Sequence, residues 1–119
     1  MHPIGSRRRG LPAPPHAVFD ALVRPDRDPA RPWLDLLPDE RMPRILEAGA
    51  VDFVVWSSLW PARPDAVVRF DIDPGAGGGT FLRWTVLVDD PVPDDATLDH
   101  WRLRIAVLVD ANLRAAFDR

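Results

Sequence analysis

The stretch from about Ala96 to Phe117, ATLDHWRLRIAVLVDANLRAAF, repeats its apolar residues at steps of three and four: Leu98, Trp101, Ile105, Leu108, Val109, Leu113 and Ala116. That period lays one greasy stripe along a long helix, and such a stripe needs a second layer beneath it. The preceding run, Val51 to Asp90, reads as three strands in a meander. One long helix on one sheet predicts a two-layer α+β domain.

The strand pattern also predicts a register. Residues 52–60 (DFVVWSSLW) end at Pro61, residues 66–73 (AVVRFDID) alternate after Val67, and TFLRWTVLVD follows a glycine-rich turn from Pro74 to Gly79. With adjacent antiparallel hairpins, Val54, Trp56, Ser58 and Trp60 share a face with Val68, Phe70, Ile72, Leu82, Trp84 and Val86. The other face carries Ser57, Arg69, Asp71, Arg83 and Thr85, so one side of the sheet is covered and the other is wet.

Upstream, MPRILEA reads as a strand ending at Gly49, and residues 2–11 (HPIGSRRRGL) as a first strand that Pro3 and Gly5 confine to an edge. Two short helices are expected between these strands. One starts at Pro15, uses Val18, Phe19 and Leu22, and ends at Pro25; the other spans Trp33, Leu34, Leu36 and Leu37 and is closed by Pro38. The polar, proline-punctuated RPDRDPAR between them is a loop.

A chain of 119 residues is expected to form a single domain over 1–119, large enough for a real core. It has no cysteine, which excludes disulfides, thiolate zinc sites and cysteine nucleophiles and fits a reducing, cytoplasmic setting. Every one of its 15 basic residues is arginine, leaving no Schiff-base or Walker lysine. A net charge of −3 argues against nucleic-acid binding, despite the run Arg7, Arg8 and Arg9. Ser6, Arg7 and Arg8 look like the opening of a twin-arginine signal, but GLPAPPHAVF has no apolar region after it, so no signal peptide is expected. No segment reaches the roughly 18 apolar residues of a membrane span.

Several motifs have a bland and a functional reading. The cluster Gly75, Gly77, Gly78 and Gly79 is followed by a strand rather than a helix N-terminus, so it reads as a hairpin tip and not a phosphate cradle. Asp89, Asp90, Asp94 and Asp95 surround the entry to the last helix, where acids cap and match the dipole. His2, His16 and His100 show no ligand spacing, with His100 on the helix's outer face, and no metal or cofactor is expected. Trp33 is a core plug or part of a pocket mouth. Glu40 is an arginine partner or surface acid, or else a general base.

Asn112 falls within the apolar stripe on an α-helical wheel, and Arg102 at its border. A buried amide without a partner costs about 1–3 kcal/mol, so Asn112 is expected to meet a backbone group, water or a ligand. Ser58 on the sheet poses the same choice. The alternatives are a solid core whose polar groups bond nearby main chain, or a tryptophan-walled cavity.

The order APPHAVFDALV, WLDLLPDE, VVWSSLWPARPDAVVRFD, a glycine hairpin, FLRWTVLVDD and a long closing helix resembles the SRPBCC superfamily of START-like, helix-grip domains. Within it the likeness is to small bacterial polyketide-cyclase/dehydrase-like proteins and to those resembling activators of the heat-shock chaperone ATPase, and it runs from Leu11 to Phe117. The resemblance implies a curved antiparallel sheet wrapped around the long C-terminal helix. It also implies a hydrophobic cavity between them for lipids, polyketides or similar molecules. Matching ligand-binding positions are Trp56, Ser58, Phe70 and Trp84 on the sheet and Trp101, Leu108 and Asn112 on the helix.

Three functions follow as expectations. The first is non-enzymatic binding of a hydrophobic or aromatic small molecule. The second is a cyclase or aromatase chemistry using Glu40, Arg102 and Asn112, although no nucleophile–base pair is visible. The third is a protein-interaction or stress-related module with a filled core, docking a protein partner or a second copy through a strand edge or the arginine-bearing sheet face.

Overall fold

The computed structural model describes residues 1–26 and 32–117. Five antiparallel strands form one sheet in the order β1-β5-β4-β3-β2: β1 (His2–Leu11), β2 (Ile45–Gly49), β3 (Phe53–Trp56), β4 (Val67–Pro74) and β5 (Thr80–Val88). Helix α1 (Pro15–Val23) lies between β1 and β2. The chain closes with α2 (Asp95–Ile105), a π-helical segment (Ala106–Leu113) and a last α turn, α3 (Arg114–Phe117). This is the α+β helix-grip arrangement expected from the sequence.

The predicted register holds. Val54 pairs with Phe70 and Phe70 with Trp84, Trp56 with Val68 and Val68 with Val86, and Ile72 with Leu82. These residues are buried, whereas Arg69, Asp71 and Thr85 are only half-buried and Arg83 is exposed. Strand β1 joins the far side of β5 as an edge strand, and a bulge at Ile4 breaks its register between Pro3 and Gly5. The bulge turns the Ile4 side chain into the core, a usual role for an extra residue at a sheet rim.

Turn chemistry closes the hairpins. Gly77 and Gly78 take φ of 64° and 81°, left-handed values that glycine adopts without a Cβ penalty, in the 3₁₀ turn between β4 and β5. Strand β3 is shorter than the predicted 52–60. The Ser58 Oγ accepts the Trp60 N–H at 2.9 Å and donates to the Trp60 carbonyl at 3.0 Å, which bends the chain out of the ladder after Trp56.

The second short helix, expected over Trp33–Leu37, is instead irregular. The Leu37 N–H is taken by the Glu40 Oε1 at 2.8 Å rather than by a carbonyl one turn back. Part of the expected loop RPDRDPAR, residues 27–31, lies outside the described residues.

Tryptophans knit the layers together. The Trp56 ring meets Phe70 edge-on at 4.6 Å and stacks on Trp33 at 5.9 Å, while its Nε1 donates to the Leu22 carbonyl at the end of α1 at 2.8 Å. Trp33 is thus buried as a core plug. Asp94 caps α2, its carboxylate accepting the Thr97 N–H at 2.9 Å, and hydrogen bonding from the Thr97 side chain, together with that N–H, holds its carboxyl below the ordinary value. Among the described residues no helix is long and apolar enough to cross a membrane.

The terminal helix buries Leu98, Trp101, Ile105, Leu108, Val109 and Leu113. Asn112 is half-buried and Ala116 exposed, which departs from the α-helical wheel. The cause is the π segment. Its i→i+5 hydrogen bonds hold more residues per turn than an α-helix, so the buried line passes from Val109 to Leu113 and swings Asn112 to the margin.

Candidate functional site

The residues picked from the sequence separate into distinct places. Trp56, Phe70 and Leu108 are fully buried in the core, and Ser58 is buried with its hydroxyl satisfied by Trp60. Asn112 stands at the edge of the π segment. Trp84 and Trp101 are also buried but each reaches a different surface cleft.

Trp84 lies on the floor of a cleft of about 430 Å³ between the edge strand β1 and the terminal helix. Ile4, Gly5, Ser6 and Arg7 form one wall, and Arg102, Leu103 and Ala106 form the other. The volume falls in the range of small-molecule sites. Leu103 is 62% exposed, so one large apolar side chain stands at the rim among the polar ones.

Each wall follows from local structure. Arg7 pairs with Trp84 and Arg9 with Leu82, so both arginines share the helix-facing side of the sheet, while Arg8 pairs with Arg83 on the other side and lies over the Phe81 ring at 4.0 Å. The run of three arginines is thus divided by strand alternation. Facing them on the π segment is Asp110, whose Oδ2 lies 3.5 Å from the Arg9 Nε and 3.9 Å from Arg7. Across the cleft the Arg102 Nε donates to the Ile4 carbonyl at the bulge, and its Nη1 to the Asp99 Oδ1 at 3.2 Å. Gly5 makes room for this. A Cβ there would sit 2.8 Å from the Arg102 Cγ.

Beside the cleft two buried polar atoms, the Trp84 Nε1 and the Asp110 Oδ1, lack a hydrogen bond. They lie near each other, and the indole N–H dipole favours the charged carboxylate although the geometry falls short of a hydrogen bond. Burial dominates at Asp110 and pushes its carboxyl above the ordinary value against the opposing pull of Arg9, Arg7 and Trp84. π-helical segments recur at functional sites, and so, separately, do acids whose pKa burial raises.

The three groups considered for catalysis have separate surroundings. Glu40 is held by Arg104 and the Leu37 N–H, Arg102 by Ile4 and Asp99, and the Asn112 side chain makes no hydrogen bond among the described residues. Sequence reasoning missed the walls contributed by Ile4, Gly5, Arg7, Leu103 and Ala106. The one signal in the chain was the Pro3–Gly5 interruption of β1, which marked an edge but not what faced it.

No family model matches the chain, and no curated protein matches it. Solved structures do. The chain is similar to the Aha1 dimer from Colwellia psychrerythraea, at 17% identity over 98% of this chain and 96% of that one, with a TM-score of 0.69. It is similar to CalU16 from Micromonospora echinospora, at 20% identity over 88% of this chain and 70% of that one, with a TM-score of 0.64. A third likeness is to XoxI from Bacillus cereus, at 12% identity over 95% and 94% of the two chains and a TM-score of 0.62. At these identities the likeness is one of fold: an antiparallel sheet closed by a long C-terminal helix.

Proposed function

We propose that this protein binds an apolar or aromatic small molecule bearing an acidic group, lipid-like or polyketide-like in character, in the cleft between β1 and the terminal helix. The observation that carries the reading is the pairing of an indole floor, Trp84, with the Arg7 and Arg102 guanidiniums on opposite walls. The apolar body meets Trp84, Ala106 and Leu103, and the acidic group lies between the two cations. The core positions Trp56, Phe70 and Leu108 support the floor and do not touch the ligand. Titration with dodecanoate, followed by tryptophan fluorescence and by NMR, tests this. Saturable binding that Ala106→Trp abolishes is expected; no saturable response to dodecanoate, flavonoids or aromatic polyketides removes the proposal.

A second reading has its own observation. Strand β2 is a sheet edge on which Ile45 is 37% and Leu46 52% exposed, beside Met42 at 44%. An apolar edge invites strand pairing, and a second copy of this chain is the occupant we propose, in keeping with the fold neighbour described as a dimer.

A further inference from the structure

A second cleft, of about 380 Å³, opens at the start of α2 and is lined by Asp39, Trp60, Ala62, Ala96, Thr97, His100 and Trp101. It shares no lining residue with the cleft at β1. Its deep wall is aromatic: the Trp60 and Trp101 rings stack with centroids 4.5 Å apart and planes 13° from parallel. Trp60 is 2% exposed, and its buried Nε1–H has no acceptor. An unpaired buried donor costs about 1–3 kcal/mol, so the Trp60 Nε1–H gains from any acceptor that reaches it.

At the rim the His100 Nε2 lies 3.2 Å from the Asp39 Oδ2. With the Nε2–H directed at this carboxylate, Nδ1 is the ring atom open to accept a hydrogen bond in that tautomer. Asp39, His100 and Glu40 also lie close enough to suggest a cation site. The charge balance opposes it: both Glu40 oxygens take hydrogen bonds from the Arg104 guanidinium at 2.8 Å, which places a fixed positive charge where an ion would bind.

We infer that this cleft is a binding site for a planar hydroxyaromatic molecule. Its ring packs on the Trp60–Trp101 wall, its hydroxyl donates to the His100 Nδ1, and an oxygen of the ligand accepts the Trp60 N–H. A phenolic group supplies the donor and the acceptor that these two side chains require. The site is independent of the proposed function, and either can fail without the other.

The test is an NMR titration of the full chain with 2-naphthol, following the indole N–H and histidine ring resonances. Saturable shifts at Trp60, Trp101 and His100 are expected, with naphthalene, which lacks the hydroxyl, binding at least tenfold more weakly. His100→Ala and Asp39→Asn, both at half-exposed or exposed positions, should each weaken 2-naphthol at least fivefold while the spectrum stays dispersed. Equal binding of naphthalene, shifts confined to Trp84, or undiminished affinity in both variants overturns the assignment. A saturable response of His100 to zinc in the absence of 2-naphthol, with none to 2-naphthol itself, does so too.

Discussion

The Arg104 guanidinium grips both oxygens of Glu40, Nε and Nη2 each donating at 2.8 Å, with the Glu40 side chain fully buried and that of Arg104 12% exposed. Arg104 also donates to the Asp35 carbonyl at 2.7 Å, and Glu40 accepts the Leu37 N–H, so this pair ties the irregular segment after α1 to the terminal helix. Of the readings open for Glu40 in the sequence, the structure supports the arginine partner. Burial works against the Glu40 charge, yet the hydrogen bonds from Arg104 and Leu37 outweigh it and hold the carboxyl below its ordinary value.

Glu40→Gln therefore leaves Arg104 without its counterion and is expected to cost about 3 kcal/mol of stability at neutral pH, read by urea unfolding. The sign with pH follows from the lowered pKa. The contribution is present above the unfolded value of about 4.3 and is lost as pH falls through the folded one. The gap between wild type and variant should narrow on acidification; a gap that widens contradicts the assignment.

Trp56→Phe removes the bond to the Leu22 carbonyl and part of a ring packed on Phe70 and Trp33. We expect a loss of about 2–3 kcal/mol, combining an unsatisfied carbonyl with a cavity, and no effect on dodecanoate affinity once the protein is folded. Thermal or urea unfolding gives the first and titration the second. A large affinity loss without destabilisation would put Trp56 back in the ligand site.

Asp110 carries the opposite sign to Glu40. Burial raises its folded pKa, so its contribution to stability is present below the unfolded pKa and is lost as pH rises through the folded value. Asp110→Asn is expected to be more stable than wild type at neutral pH, and its advantage should shrink as pH falls. Melting temperatures across the acid range decide this, and a variant less stable at neutral pH would show that the Arg9 and Arg7 attractions dominate instead.

Gly5→Ala places a methyl group against the Arg102 stem. The side chain must swing away, which breaks its bond to the Ile4 carbonyl and moves one of the two cations framing the cleft. Dodecanoate affinity should fall several-fold while dodecanol affinity changes little, as measured by competition. Equal losses for both would point to closure of the cleft rather than displacement of a charge.

Leu46→Lys tests the β2 edge. A charge on an edge strand opposes strand pairing, so a dimer formed there should dissociate to monomers by light scattering. Wild-type protein that stays monomeric up to high micromolar concentration eliminates the second-copy reading.

Much of the architecture was legible because its determinants are local. The alternation in 66–73 and 80–88 and the glycines at 77 and 78 fix faces and turn together, and so the inward set of Val54, Phe70, Trp84 and their neighbours could be listed in advance. Pro3 and Gly5 marked β1 as an edge, and the acids Asp89, Asp90, Asp94 and Asp95 marked the entry to α2, of which Asp94 proves to be the cap. The lapse at Trp33–Leu37 has a non-local cause. The Leu37 N–H is claimed by Glu40, whose carboxylate is in turn oriented by Arg104 on the terminal helix.

By itself the chain determined the layers, the register of β3, β4 and β5 and the identity of the buried face, since these depend on period and turn chemistry within a few residues. Only the tertiary structure decided where openings remain. The π segment shifts the buried line of the helix away from Asn112, a change of hydrogen-bond pattern that an apolar period cannot encode. The facing of Arg7 and Arg102 across the first cleft, and the meeting of His100 with Asp39 across 61 positions, arise from how the helix settles on the sheet and its loops. That settling is governed by summed packing over the whole core, and no single segment specifies it.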